Sequence, residues 1–132
     1  MNNEWKYKIE VKDKNIFAEI EEERNISFPD ELKKFIIEAN AATPTKFNFM
    51  VGNVEKVLGA ILSFNRNEVD TDSVFNAFSV ITDSNLLPFG IDPFGNYICY
   101  VLKDKSIVFW DHETSSITAV NNNLSAFLKS LY

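Results

Sequence analysis

The chain has 132 residues, 45% of them hydrophobic and 24% charged, with a formal net charge of −6. That size and balance suit one globular domain with its own core, expected to span residues 1–132. The negative charge repels phosphate backbones and argues against nucleic acid as a partner, and a single Cys99 and a single His112 are too few for a structural zinc site.

Met1-Asn2-Asn3-Glu4-Trp5-Lys6 lacks the apolar core of a signal peptide, and no run approaches the roughly 20 apolar residues of a membrane span. With one cysteine in an apolar run and no internal disulfide to form, the expected compartment is the reducing cytoplasm. No cofactor and no membrane association are expected.

In chain order, Asn15 to Arg24 places Ile16, Phe17 and Ile20 on one side and its glutamates elsewhere, which predicts a short amphipathic helix. Pro29-Asp30-Glu31 opens a second helix, with proline fixing the first turn and the acids meeting the positive end of the helix dipole. Leu32, Phe35, Ile36 and Ala39 follow at i, i+3, i+4 and i+7, and Asn40 is expected to end the helix in a left-handed cap. Phe47 to Val51 reads as a strand, Gly52-Asn53 as a turn and Val57 to Leu62 as a second strand. Asp70-Thr71-Asp72 is placed to cap a third helix carrying Val74, Phe75, Phe78 and Ile81.

Leu86 to Phe89 reads as a short strand and Gly90 to Asn96 as a structured turn. Tyr97 to Leu102 and Ile107 to Asp111 then form a hairpin that is apolar on both faces, as in a sheet covered on both sides. Leu124, Phe127, Leu128 and Leu131 close the chain with an amphipathic helix. Helices first, then strands interrupted by one helix, then a last helix predict an α+β fold with a mostly antiparallel sheet.

Charge is unevenly placed. From Asn67 to Leu102 there are five acids, Glu68, Asp70, Asp72, Asp83 and Asp92, and no Lys or Arg, whereas the ten acids of the first 38 residues are interleaved with seven bases. Two explanations fit: a solvated face that keeps the protein in solution, or a negative patch that steers a basic partner. Asp70 and Asp72 also suit a helix N-terminus, Asp92 suits its own turn before Pro93, and Phe89 and Phe94 suit a core. Asp111-His112-Glu113 is the one cluster with residue types for acid–base or metal chemistry. Neighbours on a strand point to opposite faces, so those three do not converge, and no Ser or Cys nucleophile accompanies the histidine. No catalytic or metal residue is assigned.

The order of motifs resembles the SUKH superfamily. Ile26-Ser27-Phe28-Pro29-Asp30-Glu31-Leu32-Lys33-Lys34-Phe35 looks like its helix opening, and Leu87 to Asp92 followed by Gly95-Asn96-Tyr97-Ile98-Cys99-Tyr100 looks like its strand–turn–strand signature. Ile107 to Glu113 and Leu124-Ser125-Ala126-Phe127-Leu128 fit the strand and helix that follow, so the likeness runs from about residue 15 to the end. Where many members have Asn-Gly, this chain has Asn40-Ala41.

The resemblance implies a non-catalytic binding protein of about four helices on the sheet. Bacterial members are largely immunity proteins that neutralise a co-encoded toxin, often a nuclease, and fungal relatives are scaffolds in cell-wall assembly. The partner implied is a protein toxin, and the base-free stretch adds the expectation that it is basic and is met by Glu68, Asp70, Asp72 and Asp92, with Phe94 as an aromatic anchor. The chain itself is expected as a monomer or weak dimer.

Overall fold

Apolar side chains at helical spacing and a run of β-branched and aromatic residues settle most of the architecture. The structure is a computed structural model that describes residues 3–132; Met1 and Asn2, read above as part of a start without a signal core, lie outside the described residues. Strand β1 (Trp5–Lys6) pairs with β2 (Thr43–Pro44), and helices α1 (Ile16–Arg24) and α2 (Asp30–Ala39) lie between them in sequence. The hairpin β3 (Asn48–Val51) and β4 (Val54–Val57) follows. The main sheet is antiparallel, in the order β5 (Ala60–Ile61), β6 (Leu86–Ile91), β7 (Tyr97–Val101), β8 (Ile107–Trp110), β9 (Ile117–Asn121). Helix α3 (Val74–Val80) joins β5 to β6, and α4 (Leu124–Ser130) follows β9. The α+β class is as the sequence predicts.

Alternation along the strands divides the core in two. Ile98 and Tyr100 of β7 and Ile107 and Phe109 of β8 belong to the larger cluster, with the buried faces of α1, α2 and α4. Phenylalanines fill it edge to face: Phe17 on Phe28 at 4.9 Å between ring centroids, and Phe49 on Phe127 at 5.4 Å, contacts worth about 0.5–1.5 kcal/mol each beyond burial. Cys99, Val101, Val108 and Trp110 point the other way and form a smaller cluster with Ile81 and Leu86. Helix α3 gives Val74 and Ala77 to the larger cluster, and the Ile81 that follows it goes to the smaller.

Several local expectations are corrected. Asn40 does not adopt the left-handed conformation (φ −54°, ψ 126°); Ala41 does, at φ 61°, the region where a Cβ is strained. Asn40 is instead buried, its Nδ2 donating to the Ile9 carbonyl at 2.8 Å and its Oδ1 accepting from the Phe64 amide at 2.7 Å. The strand expected over 57–62 is broken at Gly59, whose amide donates to the Ile91 carbonyl at 2.8 Å and where a Cβ would lie 3.2 Å from that oxygen. The hairpin partner of β3 therefore starts earlier, at Val54. The cap of α3 is Ser73, whose side chain accepts from the Asn76 amide; Asp70 and Asp72 lie upstream. Strand β6 runs on to Ile91 through a bulge between Pro88 and Gly90, which lets a proline sit inside a central strand. Asp111 falls outside β8, and β9 is a strand that the sequence pattern did not reveal.

An N-terminal strap crosses the larger core, held by asparagine side chains. Asn3 Nδ2 donates to the Lys46 carbonyl at 2.7 Å, and Asn65 Oδ1 accepts from the Lys12 amide at 2.8 Å while its Nδ2 donates to the Glu10 carbonyl at 2.9 Å. Asn40 holds Ile9 between them.

Candidate protein-binding surface

The connection from β5 to α3 is pinched at its base. Ser63 and Ser73 bridge in parallel, the Ser63 amide donates to the Asp72 carbonyl at 2.9 Å, and the Val74 amide returns to the Ser63 carbonyl at 2.9 Å. The loop thrown outward contains Glu68, Asp70 and Asp72. Glu68 is half-buried and accepts from Ser63 Oγ at 3.1 Å, whereas Asp70 and Asp72 are exposed. Val69, between Glu68 and Asp70, is 88% exposed. An apolar residue in a polar run was the available signal for it, and the pattern of the acids masked it.

Arg66, the base at the margin of this stretch, is turned away from it. Its guanidinium pairs with Glu19 at 3.2 Å and with Glu23, and stacks 4.5 Å from the centre of the Phe75 ring. Positive charge at the loop is thus committed to α1.

The turn from β6 to β7 is built on Asp92. This residue is 4% exposed. Its Oδ1 accepts from the amides of Phe94 (2.9 Å) and Asn96 (2.8 Å), and its Oδ2 accepts from Asn96 Nδ2 at 2.9 Å. Asn96 Oδ1 in turn accepts from the His112 amide at 2.9 Å and lies 2.6 Å from His112 Nδ1, so that nitrogen carries the proton. The buried carboxylate therefore fastens a turn and, through Asn96, the start of the β8–β9 connection. The structure places Asp92 beneath the surface, apart from the exposed acids with which it was grouped. Gly95 meets the turn's need for a positive φ, at 85°.

Above that buried carboxylate, Phe94 is 77% exposed rather than core, while Phe89 is fully buried. The turn leads into Tyr97, a half-buried residue whose phenol is raised above its ordinary pKa by burial and then by the charge of Asp72. What the fold brings to the surface is a loop bearing Glu68, Val69, Asp70 and Asp72, and a turn tip bearing Phe94. Acids around exposed apolar side chains can dock a protein surface of opposite charge.

The Asp111-His112-Glu113 cluster is a turn rather than a strand. Asp111 Oδ1 accepts from the Glu113 amide at 2.8 Å, and His112 is held by Asn96. Among the described residues no group of three His, Cys, Asp or Glu side chains is arranged to hold a metal ion. Cys99 is fully buried and its thiol is pushed well above the ordinary range by desolvation, which leaves it unreactive in the native state. No helix among the described residues is long and apolar enough to cross a membrane.

The sequence matches the SMI1 / KNR4 family (SUKH-1) over residues 11–130. No curated protein matches the chain.

Proposed function

The chain belongs to the SMI1 / KNR4 family (SUKH-1), a family of generally non-catalytic immunity or regulatory proteins, and from that premise we propose that it is a cytoplasmic immunity protein. It captures a basic protein toxin through the acidic loop 68–72 and the Phe94 tip. The observation that carries this reading is the loop itself: Val69 and, after it, Asp70 and Asp72 stand exposed, and the neighbouring Arg66 is occupied by Glu19 and Glu23. Nuclease toxins must hold phosphate and are basic, so such an acidic surface can stand in for their substrate. Complementary charge raises association from roughly 10⁵–10⁶ toward 10⁸–10⁹ M⁻¹s⁻¹ at low salt, and speed matters when few toxin molecules kill.

The test is co-expression with the variable C-terminal domain of a secreted protein encoded beside this gene. Rescue from its toxicity and a co-purifying complex are expected. Absence of both removes the immunity role and leaves the regulator of the same fold, as in cell-wall assembly.

A further inference from the structure

Where the N-terminal strap passes the helices it leaves a hollow. A groove of about 540 Å³ is lined by the strap, α2 and α4, a volume within the roughly 300–1,000 Å³ of small-molecule sites. All three supply apolar surface: Trp5 from the strap, Phe35 from α2, and Leu124, Leu128 and Leu131 from α4 and the turn after it. Phe35, Leu124 and Leu131 are buried, whereas Trp5 and Leu128 are half-buried. Trp5 meets Phe35 edge to face at 5.1 Å between ring centroids, so the two rings hold one another in place.

Charge in this groove reverses the balance of the chain. The whole sequence has 13 bases against 19 acids, but the groove is lined by Lys34, Lys46 and Lys129 against Glu31 and Glu38. Glu31 is already committed. Its Oε2 accepts from the phenol of Tyr100, a fully buried core residue, at 2.5 Å. Lys34, one turn further along α2, makes no ion pair with Glu31 or Glu38 among the described residues. Lys129 belongs to a helix without a single acid and makes no ion pair among the described residues either. Two ammonium groups from two different walls thus flank an apolar floor, neither of them neutralised.

We propose that this groove binds a small amphipathic acid, a compact aromatic or branched apolar body carrying one carboxylate. The body rests on Trp5, Phe35 and Leu128, and the carboxylate accepts from the ammonium groups of Lys34 and Lys129. Charge selects this occupant: a neutral molecule gains nothing from the lysines, and a cation is repelled by them. Occupancy braces the strap against both helices, so the acid favours the folded chain. None of Glu68, Asp70, Asp72 and Phe94 lines the groove, so the inference goes beyond the toxin-binding reading and stands apart from it.

Titration of the whole chain with phenylbutyrate, phenylbutanol and phenylbutylamine tests this, because the three share one apolar body and differ in charge. The two indole N–H signals in amide-correlation NMR report the site. That of Trp5 should move saturably with the acid, half-saturating near about 1 mM, while that of Trp110, buried in the smaller cluster, stays still. The acid should bind more tightly than the alcohol, and the amine least tightly. Lys34→Met and Lys129→Met should each weaken the acid by about two- to fivefold, as loss of an exposed ion pair does, and leave the alcohol unchanged. Glu38→Gln should tighten the acid, and added salt should weaken it. An unmoved Trp110 signal shows that each variant keeps its fold. No saturation by about 10 mM, equal affinity for all three probes, or preference for the amine overturns the proposal. So does binding of the acid that neither lysine variant alters.

Discussion

Asp92 shows how much of a residue's role depends on what surrounds it. The sequence reveals an acid before a proline in a turn, equally suited to a surface or to its own backbone. Burial decides: the carboxylate accepts three hydrogen bonds and holds Asn96, which holds His112. Asp92→Ala leaves three donors without their acceptor, two on the buried Asn96, and should cost about 1–3 kcal/mol in urea denaturation. Asn40 is similar, since its spacing announced a helix end but not that its side chain would tie Ile9 to Phe64. Buried Cys99 and two tyrosines carry the alkaline response, the thiol from about pH 8.5 and the phenols from about pH 10. Burial first, and then Asp72 for Tyr97 and the hydrogen bond to Glu31 Oε2 (2.5 Å) for Tyr100, raise both phenols above the unfolded value. Phenols raised in this way favour folding fully below about pH 10 and lose that contribution as the pH climbs through their folded pKa. Stability followed by circular dichroism should be unaffected by these groups at neutral pH, begin to fall above pH ~8.5 with the thiol, and fall further above pH ~10 with the phenols. Tyr97→Phe should flatten part of that fall.

At the scale of elements, helices α1, α2 and α4 were legible because a buried stripe repeats every three or four residues. The strands were less so. β9 is exposed on both faces over Ile117–Ala119, so no alternation marks it, and β1 and β2 are two residues long. The break at Gly59 and the bulge in β6 reflect close approach of backbones, which composition does not encode. Gly90 makes this measurable. A Cβ there would lie 2.8 Å from Leu58 Cδ1 and 3.4 Å from Ile98 Cβ. Gly90→Ala should therefore destabilise by roughly 1–3 kcal/mol, and pairing it with Leu58→Ala should recover part of the overpacking loss in a double-mutant cycle.

For the molecule as a whole, the uneven charge was visible in the sequence but its shape was not. The base-free stretch divides in space into a loop with the half-buried Glu68 and the exposed Asp70 and Asp72, an exposed Asp83 that accepts from the Asn85 amide, and the buried Asp92. Only the exposed acids can steer a partner from a distance. Asp70→Lys with Asp72→Lys should slow association with the toxin domain by roughly tenfold or more at low salt, and the deficit should shrink as ionic strength rises. Phe94→Ala should instead speed dissociation, since a contact residue acts after encounter. Unchanged rates in both variants would move the binding face elsewhere on the fold.

The strap of residues 3–12 also gives the molecule a mechanical asymmetry. Its pins at Asn3, Asn40 and Asn65 are separate and stand one after another along the chain, whereas the rungs between β6, β7 and β8 lie side by side. Pulled from its N-terminal end in an optical trap, the strap meets force one pin at a time and peels. The trace should show a first low-force extension on the order of 30 Å, at ~3.5 Å per residue released, before the sheet yields in a single larger step. Asn65→Ala removes the last pin and should lower the force of that first event while leaving the second unchanged.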